Sequence, residues 1–371
     1  MKCSKSLAKA VMMTQRWEMI DVPYLSIIIP CYNAVNYIDR CMECLRNQTI
    51  GFENLQVILV NDGSTDFTLG KMLFYENMFP EQMVVINCEE NRGQGAAKNT
   101  GLNYAQADFV AFLDVDDVIA ESFYEKLYKK IKEGNYDWVS AKFIHLSSKL
   151  KPDFKQSLTK KDKEYHCPKE ECIIFKDLDS GMYNGKFGIL PSRIFRKSLI
   201  IENEIYFPEG LMYEDNFWGA KCSVFSKNVY IIDEVLYCYY ENENSVVSSR
   251  NAAYHLDRMK IEEMIVELFK KQGLFDKYHD RIEARFLRLY FCATWVAIFL
   301  KMDTIPDVLP IMRKKIYELF PDYKKNPYIC RWPLLDQMVL KMLEPEEVYT
   351  TEELEFIKEG YIKDFLRNGF V

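Results

Sequence analysis

The stretch AFLDVDDVIA places three carboxylates within four positions, directly after an apolar run that is typical of a β-strand. The three residues are Asp114, Asp116 and Asp117. Carboxylates are costly to bury and they repel one another, so three of them at a strand end require an explanation. A solvated turn is one explanation, because aspartate is common at strand ends and helix starts. A binding site is the other, and the rest of the chain decides between them.

The composition excludes several classes of protein. Of the 371 residues, 49% are hydrophobic and 28% are charged, which indicates a globular chain of one large domain or two ordinary ones. The net charge of −7 argues against nucleic-acid binding, which needs a basic surface. With four histidines and no dense histidine motif, histidine-based catalysis is disfavoured.

Cysteine usage and hydropathy indicate a cytoplasmic protein. The 11 cysteines are scattered and many lie in apolar runs, which is typical of a reducing compartment. Cys41 and Cys44 form a CxxC, but helical spacing predicts that Cys41 lies in the core. The first residues lack a signal-peptide pattern, and the apolar stretch 289–300 is shorter than the ~20 residues that span a bilayer. We therefore expect 289–300 to be a buried helix.

Apolar runs alternate with amphipathic ones along the first part of the chain. The predicted strands are 25–29, 55–60, 83–87, 108–113 and 137–143, and later 228–233 and 235–240; the predicted helices are 34–47, 67–78, 93–105 and 121–131. This alternation predicts an α/β fold with a mostly parallel sheet flanked by helices on both faces. Ligands of such sheets bind beyond the carboxyl ends of the strands.

Each of the first four predicted strands ends in polar residues. The ends are Pro30-Cys31-Tyr32-Asn33, residues 61–66 (NDGSTD), residues 89–93 (EENRG) and residues 114–117 (DVDD). Any one of these turns is ordinary loop chemistry. Four of them at one edge of a sheet predict a site.

These motifs carry a resemblance to a known family. PCYNA, VNDGSTD, NRGQGAAKNTG and FLDVDD, in this order and spacing, resemble the family 2 inverting glycosyltransferases. LPSRIFRKSLI, FPEGLMYEDNFWGAK and YCYYENENSVVSSR are similar to bacterial members that build surface polysaccharides or glycans. The resemblance covers residues 24–250 and implies a GT-A fold, Rossmann-like, with a nucleotide-diphospho-sugar donor, here a UDP-hexose or UDP-N-acetylhexosamine.

The resemblance implies a divalent cation, Mn²⁺ or Mg²⁺, which prefers oxygen ligands and can bridge two phosphates. It makes Asp116 the metal ligand, while Asp114 contacts the ribose or supports the metal. Asp117 is interpreted as a cap of the following helix. The remaining residues that the resemblance assigns to the donor are Pro30, Tyr32, Asn33, Asp62, Ser64, Asn91, Arg92, Lys98, Ser245 and Arg250. Asp62 would accept a hydrogen bond from the N–H of the uracil ring. Ser245 and Arg250 would close over the diphosphate as a lid.

Inversion requires the acceptor hydroxyl to attack opposite the leaving diphosphate, and a carboxylate within ~3 Å can take its proton. The resemblance assigns this role to Asp215, with Glu214 as the alternative. An ordinary acidic helix start would also account for both residues.

The predicted organisation is an N-terminal extension (1–23), a catalytic domain (24–250) and a C-terminal helical domain (251–371). The helices of the last part are candidates for packing on the catalytic domain, for a homodimer interface or for peripheral contact with the inner face of the plasma membrane. Their mixed charges favour packing.

The predicted function is metal-dependent transfer of a sugar to a hydroxyl of a glycan, lipid-linked or protein-linked acceptor. Three alternatives remain. DVDDV also fits the nucleophile motif of haloacid-dehalogenase-type phosphatases, although that motif belongs on the first strand of their core. A nucleotidyltransferase would show a glycine-rich basic loop after the first strand, where this chain has PCYNA. The last alternative is a non-catalytic, glycosyltransferase-like sugar-binding or scaffold subunit.

Overall fold

A computed structural model describes most of the chain. The described residues are 22–146, 171–174, 190–240, 252–301, 308–344, 352–353, 355–357 and 359–360. They fall into two compact units. The first takes its described residues from Met1–Asp177, Lys186–Gly210 and Cys222–Asn242, and the second from Leu211–Lys221 and Glu243–Val371. Residues 211–221, which the sequence places in the catalytic domain, therefore group with the helical unit.

The described strands of the first unit form one nine-stranded mixed sheet. They are β1 Leu25–Cys31, β2 Leu55–Asp62, β3 Met83–Cys88, β4 Phe109–Phe112, β5 Val118–Ile119, β6 Trp138–Leu146, β7 Glu171–Ile174, β8 Arg193–Arg196 and β9 Asn228–Tyr240. Their order is β3-β2-β1-β4-β8-β6-β9-β5, and β7 also pairs with β9. β1 pairs in parallel with β2 and β4, and β2 pairs in parallel with β3, so these four strands end at one edge.

One strand prediction is wrong. The expected pair 228–233 and 235–240 is a single strand, β9, which pairs in parallel with β6 through two register shifts around Lys142. The polar residues that indicated a break, Asp233 and Glu234, are exposed within the strand. They form ion pairs with Lys142 and Lys126, respectively. Irregular register lets exposed charges sit in a strand without ending it.

The predicted helices of the first unit are present with later starts. They are α1 Ile38–Arg46, α2 Thr68–Met78, α3 Gln94–Leu102 and α4 Phe123–Gly134. The first unit also contains α5 Lys197–Glu202, and α6 Glu214–Phe225 begins in the second unit. The residues before α1 stay in a loop because their N–H groups bond to side chains. The N–H of Ala34 donates to Thr68 Oγ1 at 2.7 Å, and the N–H of Val35 donates to Asp66 at 3.4 Å.

The core follows from the two-residue period of the strands. Every residue of β1 is buried, as expected for a central strand covered on both faces. Ile27 and Ile29 belong to the main cluster, together with α1 and α4 residues. Ile28 points the other way, where α3 approaches so closely that a Cβ on Gly101 would lie 2.4 Å from the Ile28 Cγ2.

In its described part the second unit is helical. Its helices are α7 Ala252–Lys271, α8 His279–Phe286, α9 Thr294–Lys301, α10 Leu309–Leu319 and α11 Leu334–Lys341. α7 ends before Gly273, which adopts φ 65°. The buried helix expected over 289–300 is present, although it begins as the π-helical turn Leu287–Ala293 before α9. No helix within the described ranges is both long and apolar enough to cross a bilayer.

The contact between α3 and β1 predicts an asymmetry between two helical glycines. Gly101→Ala should lower the free energy of unfolding by about 1–3 kcal/mol, because the new methyl group clashes with buried Ile28. Gly219→Ala in α6 meets nothing within 4 Å. It should be neutral or stabilise by up to about 1 kcal/mol. Urea denaturation of both variants measures the change in the free energy of unfolding. Equal changes for Gly101→Ala and Gly219→Ala would contradict the packing of α3 on β1.

Candidate active site

The loops after β1 and β2 are tied to each other. Asn33 adopts φ 49°, a left-handed conformation that asparagine tolerates. Its Oδ1 accepts from the N–H of Thr65 at 2.9 Å, and its own N–H donates to Ser64 Oγ at 3.0 Å. Tyr32 beside it is 51% exposed. The predicted donor residues Tyr32, Asn33 and Ser64 therefore form one surface at the sheet edge.

The end of β2 holds the loop after β3. Asp62 is buried, and its two oxygens accept from the backbone N–H groups of Arg92 at 3.0 Å and Gly93 at 2.8 Å. Gly63 has φ 68°, and a Cβ there would lie 2.5 Å from the Asn91 nitrogen. The predicted contact of Asp62 with uracil stays a prediction. Its role in shaping the loop was missed, since nothing local in VNDGSTD indicates a partner thirty residues away.

The two predicted cations differ in their surroundings. The exposed guanidinium of Arg92 forms an ion pair with Glu209, whose side chain is also exposed. Lys98 is buried, donates to Gln94 Oε1 at 3.2 Å and lies 5.2 Å from the ring centre of Phe207. Arg92 is therefore the more accessible cation of the two.

The DVDD turn begins where β4 leaves the sheet. The N–H of Leu113 donates to the Ile28 carbonyl at 3.1 Å, so the turn lies beside the last residues of β1. The N–H of Asp117 then closes the turn on the Asp114 carbonyl at 3.1 Å. Asp114 and Asp116 are partly exposed, whereas Asp117 is only 2% exposed. The three carboxylates thus divide into two at the surface and one in the interior.

Asp117 anchors the turn to β9. Its carboxylate accepts from the hydroxyl of Tyr237 and, at 2.8 Å, from the N–H of Tyr240. Burial, with the charges of Asp114 and Asp116, raises the pKa of Asp117 well above its usual range. Its interpretation as a helix cap is wrong, because α4 begins six residues later and the carboxylate is engaged by β9.

Arg40 also supports the turn. Its guanidinium donates to the backbone carbonyl of Asp116 and lies 5.7 Å and 5.0 Å from the ring centres of Tyr37 and Tyr240. The sequence reasoning missed Arg40. A signal was available, because a helix that follows a parallel strand starts at the carboxyl edge, so the first turn of α1 faces the site.

The two candidate bases begin α6 in the second unit. Glu214 is 5% exposed, whereas Asp215 is exposed. Tyr213 before them adopts φ 63°, and its hydroxyl lies 3.0 Å from His255 Nδ1. The guanidinium of Arg258 lies 4.1 Å from the Tyr213 ring centre. The exposure of Asp215 favours it as the base, since a base must reach the acceptor. That Asp215 acts together with the DVDD turn of the first unit stays a prediction.

The remaining residues that the sequence singles out lie outside the described residues or in the core. Ser245 and Arg250 lie outside the described residues. Trp138 and Trp218, two tryptophans whose rings could in principle stack on a sugar, are 1% and 0% exposed and are therefore core residues. Cys41 is also core, and burial raises the pKa of its thiol well above the usual range.

Comparison with known proteins identifies the class. The family model of glycosyl transferase family 2 matches residues 26–203. The glycosyltransferase GlyG of Streptococcus pneumoniae is 26% identical, over 67% of this chain and 79% of GlyG. The poly(ribitol-phosphate) beta-N-acetylglucosaminyltransferase TarS of Staphylococcus aureus is 26% identical over 72% of this chain, although the match spans only 44% of TarS.

Solved structures agree on the fold. The crystal structure of S. aureus TarS superposes with a TM-score of 0.65 at 20% identity, covering 91% of this chain and 55% of that chain. Its fragment 1–349 in complex with UDP-GlcNAc gives 0.57 at 20% identity, covering 92% of each chain. The fold is GT-A, and residues 26–203 match the family model of glycosyl transferase family 2. The family match and the named glycosyltransferase relatives argue against the phosphatase and nucleotidyltransferase alternatives.

The anchoring of Asp117 gives a stability prediction. Tyr237→Phe removes one donor from a buried carboxylate and should lower the free energy of unfolding by about 1–3 kcal/mol. The control is Tyr75→Phe, whose hydroxyl donates to the exposed carboxylate of Asp39 at 3.0 Å. Its loss should cost at most about 1 kcal/mol. Chemical denaturation compares the two, and a smaller loss for Tyr237→Phe than for the control would contradict the anchor.

Proposed function

We propose that this chain transfers a sugar from a UDP-sugar to a hydroxyl of a glycan, lipid-linked or protein-linked acceptor, in the cytoplasm and with inversion at the anomeric carbon. The observation that carries the proposal is the convergence of four polar strand ends, including DVDD, at one edge of the sheet. Ligands of such sheets bind at that edge. UDP-GlcNAc is the first donor to test, because the S. aureus TarS fragment was crystallised with it. UDP-glucose and UDP-galactose follow, since other relatives are named glucosyltransferase and galactosyltransferase.

The DVDD turn fits a divalent cation. Asp117 and Arg40 hold the turn, and Asp114 and Asp116 present two partly exposed carboxylates on alternate positions. Hard cations such as Mn²⁺ and Mg²⁺ prefer such oxygen ligands. Asp116, supported by Asp114, would hold the ion, which would stabilise negative charge on the departing diphosphate.

The donor surface in this proposal is built by the residues that tie the loops together. Pro30, Tyr32, Asn33 and Ser64 line the nucleotide, and Asp62 accepts from the base. Arg92 exchanges Glu209 for a phosphate of the donor, since an exposed ion pair is weak and a diphosphate competes well for a guanidinium. Asn91 and Lys98 complete the surface from the same loop and from α3.

Asp215 is the proposed base. The acceptor oxygen attacks the anomeric carbon from the face opposite the diphosphate, the bond from that carbon to the phosphate oxygen breaks, and the hydroxyl proton passes to Asp215. Direct displacement needs no protein nucleophile. Tyr213 and Arg258 position the turn that carries the base.

Asp116→Asn tests the metal site. Release of UDP from UDP-GlcNAc with Mn²⁺ should fall more than about 100-fold in this variant, because a metal ligand is lost. EDTA should have the same effect on the wild type. Glu133→Gln, which alters an exposed carboxylate on α4, should stay within a few fold of wild type. Activity that survives both EDTA and Asp116→Asn would refute metal dependence, and donor binding without any turnover on an acceptor panel would favour the non-catalytic subunit.

Asp215→Asn tests the base. Its kcat should fall about 10²–10⁴-fold, the range for loss of a general base, while UDP binding measured by calorimetry stays unchanged. Glu214→Gln should retain most of the turnover. The opposite pattern, with the large kcat loss in Glu214→Gln, would transfer the role to Glu214.

A further inference from the structure

A second group of metal-binding side chains lies at the start of α8 in the helical unit. His279, Asp280 and Glu283 offer one imidazole nitrogen and two carboxylate oxygens, all within 4.8 Å of one another. His279 Nδ1 lies 3.3 Å from Asp280 Oδ1. His279 and Glu283 are four residues apart, so one helical turn brings them to the same face. The predicted function uses none of these residues.

Glu283 shows that this group is not an ordinary surface cluster. The residue is only 3% exposed. One carboxylate oxygen accepts from Asn326 Nδ2 at 2.6 Å, whereas Oε1 is buried without a hydrogen-bond partner. Buried polar atoms are rarely left unsatisfied in native proteins, because each one costs desolvation energy. A cation beside Oε1 would remove this cost.

The imidazole is held in place by two phenyl rings. The ring centre of His279 lies 5.4 Å from that of Phe275 and 5.7 Å from that of Phe320, both in edge-to-face arrangements. In this position its Nδ1 faces the Asp280 carboxylate at 3.3 Å. Preorganised ligands lose little conformational entropy on binding.

The local charge also favours a cation. Asp280 and Glu283 place two carboxylates beside the single imidazole of His279. Lys325, the nearby base, pairs with Asp322 at 2.8 Å. This lysine is therefore already engaged by a carboxylate outside the cluster.

We propose that His279, Asp280 and Glu283 bind a divalent transition-metal ion, with Zn²⁺ the preferred one. Zinc accepts imidazole nitrogen and carboxylate oxygen as ligands, and with three protein ligands a water molecule would complete a four-coordinate shell. Harder ions such as Mg²⁺ favour sites made of oxygen alone. The ion would join α8 to the segment at Asn326, whose side chain already donates to Glu283 and to the Asp280 carbonyl at 2.6 Å. It therefore stabilises the helical unit and takes no part in sugar transfer.

The test is a zinc titration of the metal-stripped full chain by calorimetry, with thermal unfolding of the same samples. Wild type should bind one equivalent of zinc at this cluster. His279→Asn and Glu283→Gln should lose this equivalent or bind it with an affinity at least tenfold lower, and the zinc-induced rise in Tm should be lost in the same variants. Glu267→Gln, an exposed carboxylate of α7, and Asp116→Asn should keep that equivalent. Glu283→Gln retains an oxygen for Asn326, so it should fold and release UDP with Mn²⁺ as wild type does.

Two results would overturn the proposal. If all variants bind the same zinc equivalents as wild type, the cluster is not a metal site. If zinc uptake is lost only in Asp116→Asn, zinc occupies the DVDD turn and not the cluster of His279, Asp280 and Glu283.

Discussion

The structure depends on how three aspartates are accommodated in the turn after β4. The fold withdraws Asp117 into the interior, where Tyr237 and Tyr240 of β9 supply donors, and leaves Asp114 and Asp116 at the surface. β9 must therefore run as a long strand past β5, which contains the residues that directly follow the turn. One buried carboxylate is thereby separated from two partly exposed ones, which are the two proposed as metal ligands.

The neighbouring loops are rigid for a related reason. Each one is fixed by a side chain of another loop: Asn33 contacts Thr65, and Asp62 receives the backbone of Arg92 and Gly93. Beyond the strand ends, backbone N–H groups have no partner strand to bond to. These side chains from neighbouring loops supply the missing acceptors. Preorganised loops bind a ligand at lower entropic cost than loops that must order around it. The residues proposed to bind the donor therefore also hold together the loops that carry them.

The sequence predicts what depends on local pattern. The alternation of apolar runs located β1 to β4 and their helices, and helical spacing identified Cys41 as core. The sequence does not predict hydrogen bonds between residues that are far apart in the chain. Arg40 bonds to Asp116 across 76 positions, and Tyr237 bonds to Asp117 across 120. The predicted break in β9 is absent for a different reason. The exposed carboxylates at that point, Asp233 and Glu234, are paired with lysines on neighbouring elements. Exposure of Asp215 and burial of Glu214 likewise depend on tertiary packing, because both residues lie in one acidic helix turn.

The most direct test of the account is a crystal structure of the chain grown with UDP and Mn²⁺. The account predicts manganese density at the Asp116 carboxylate and the diphosphate beside it, with the uracil over the loops that carry Tyr32, Asn33 and Asp62. An anomalous manganese signal away from the DVDD turn, or UDP bound elsewhere than the carboxyl edge of β1 to β4, would contradict it.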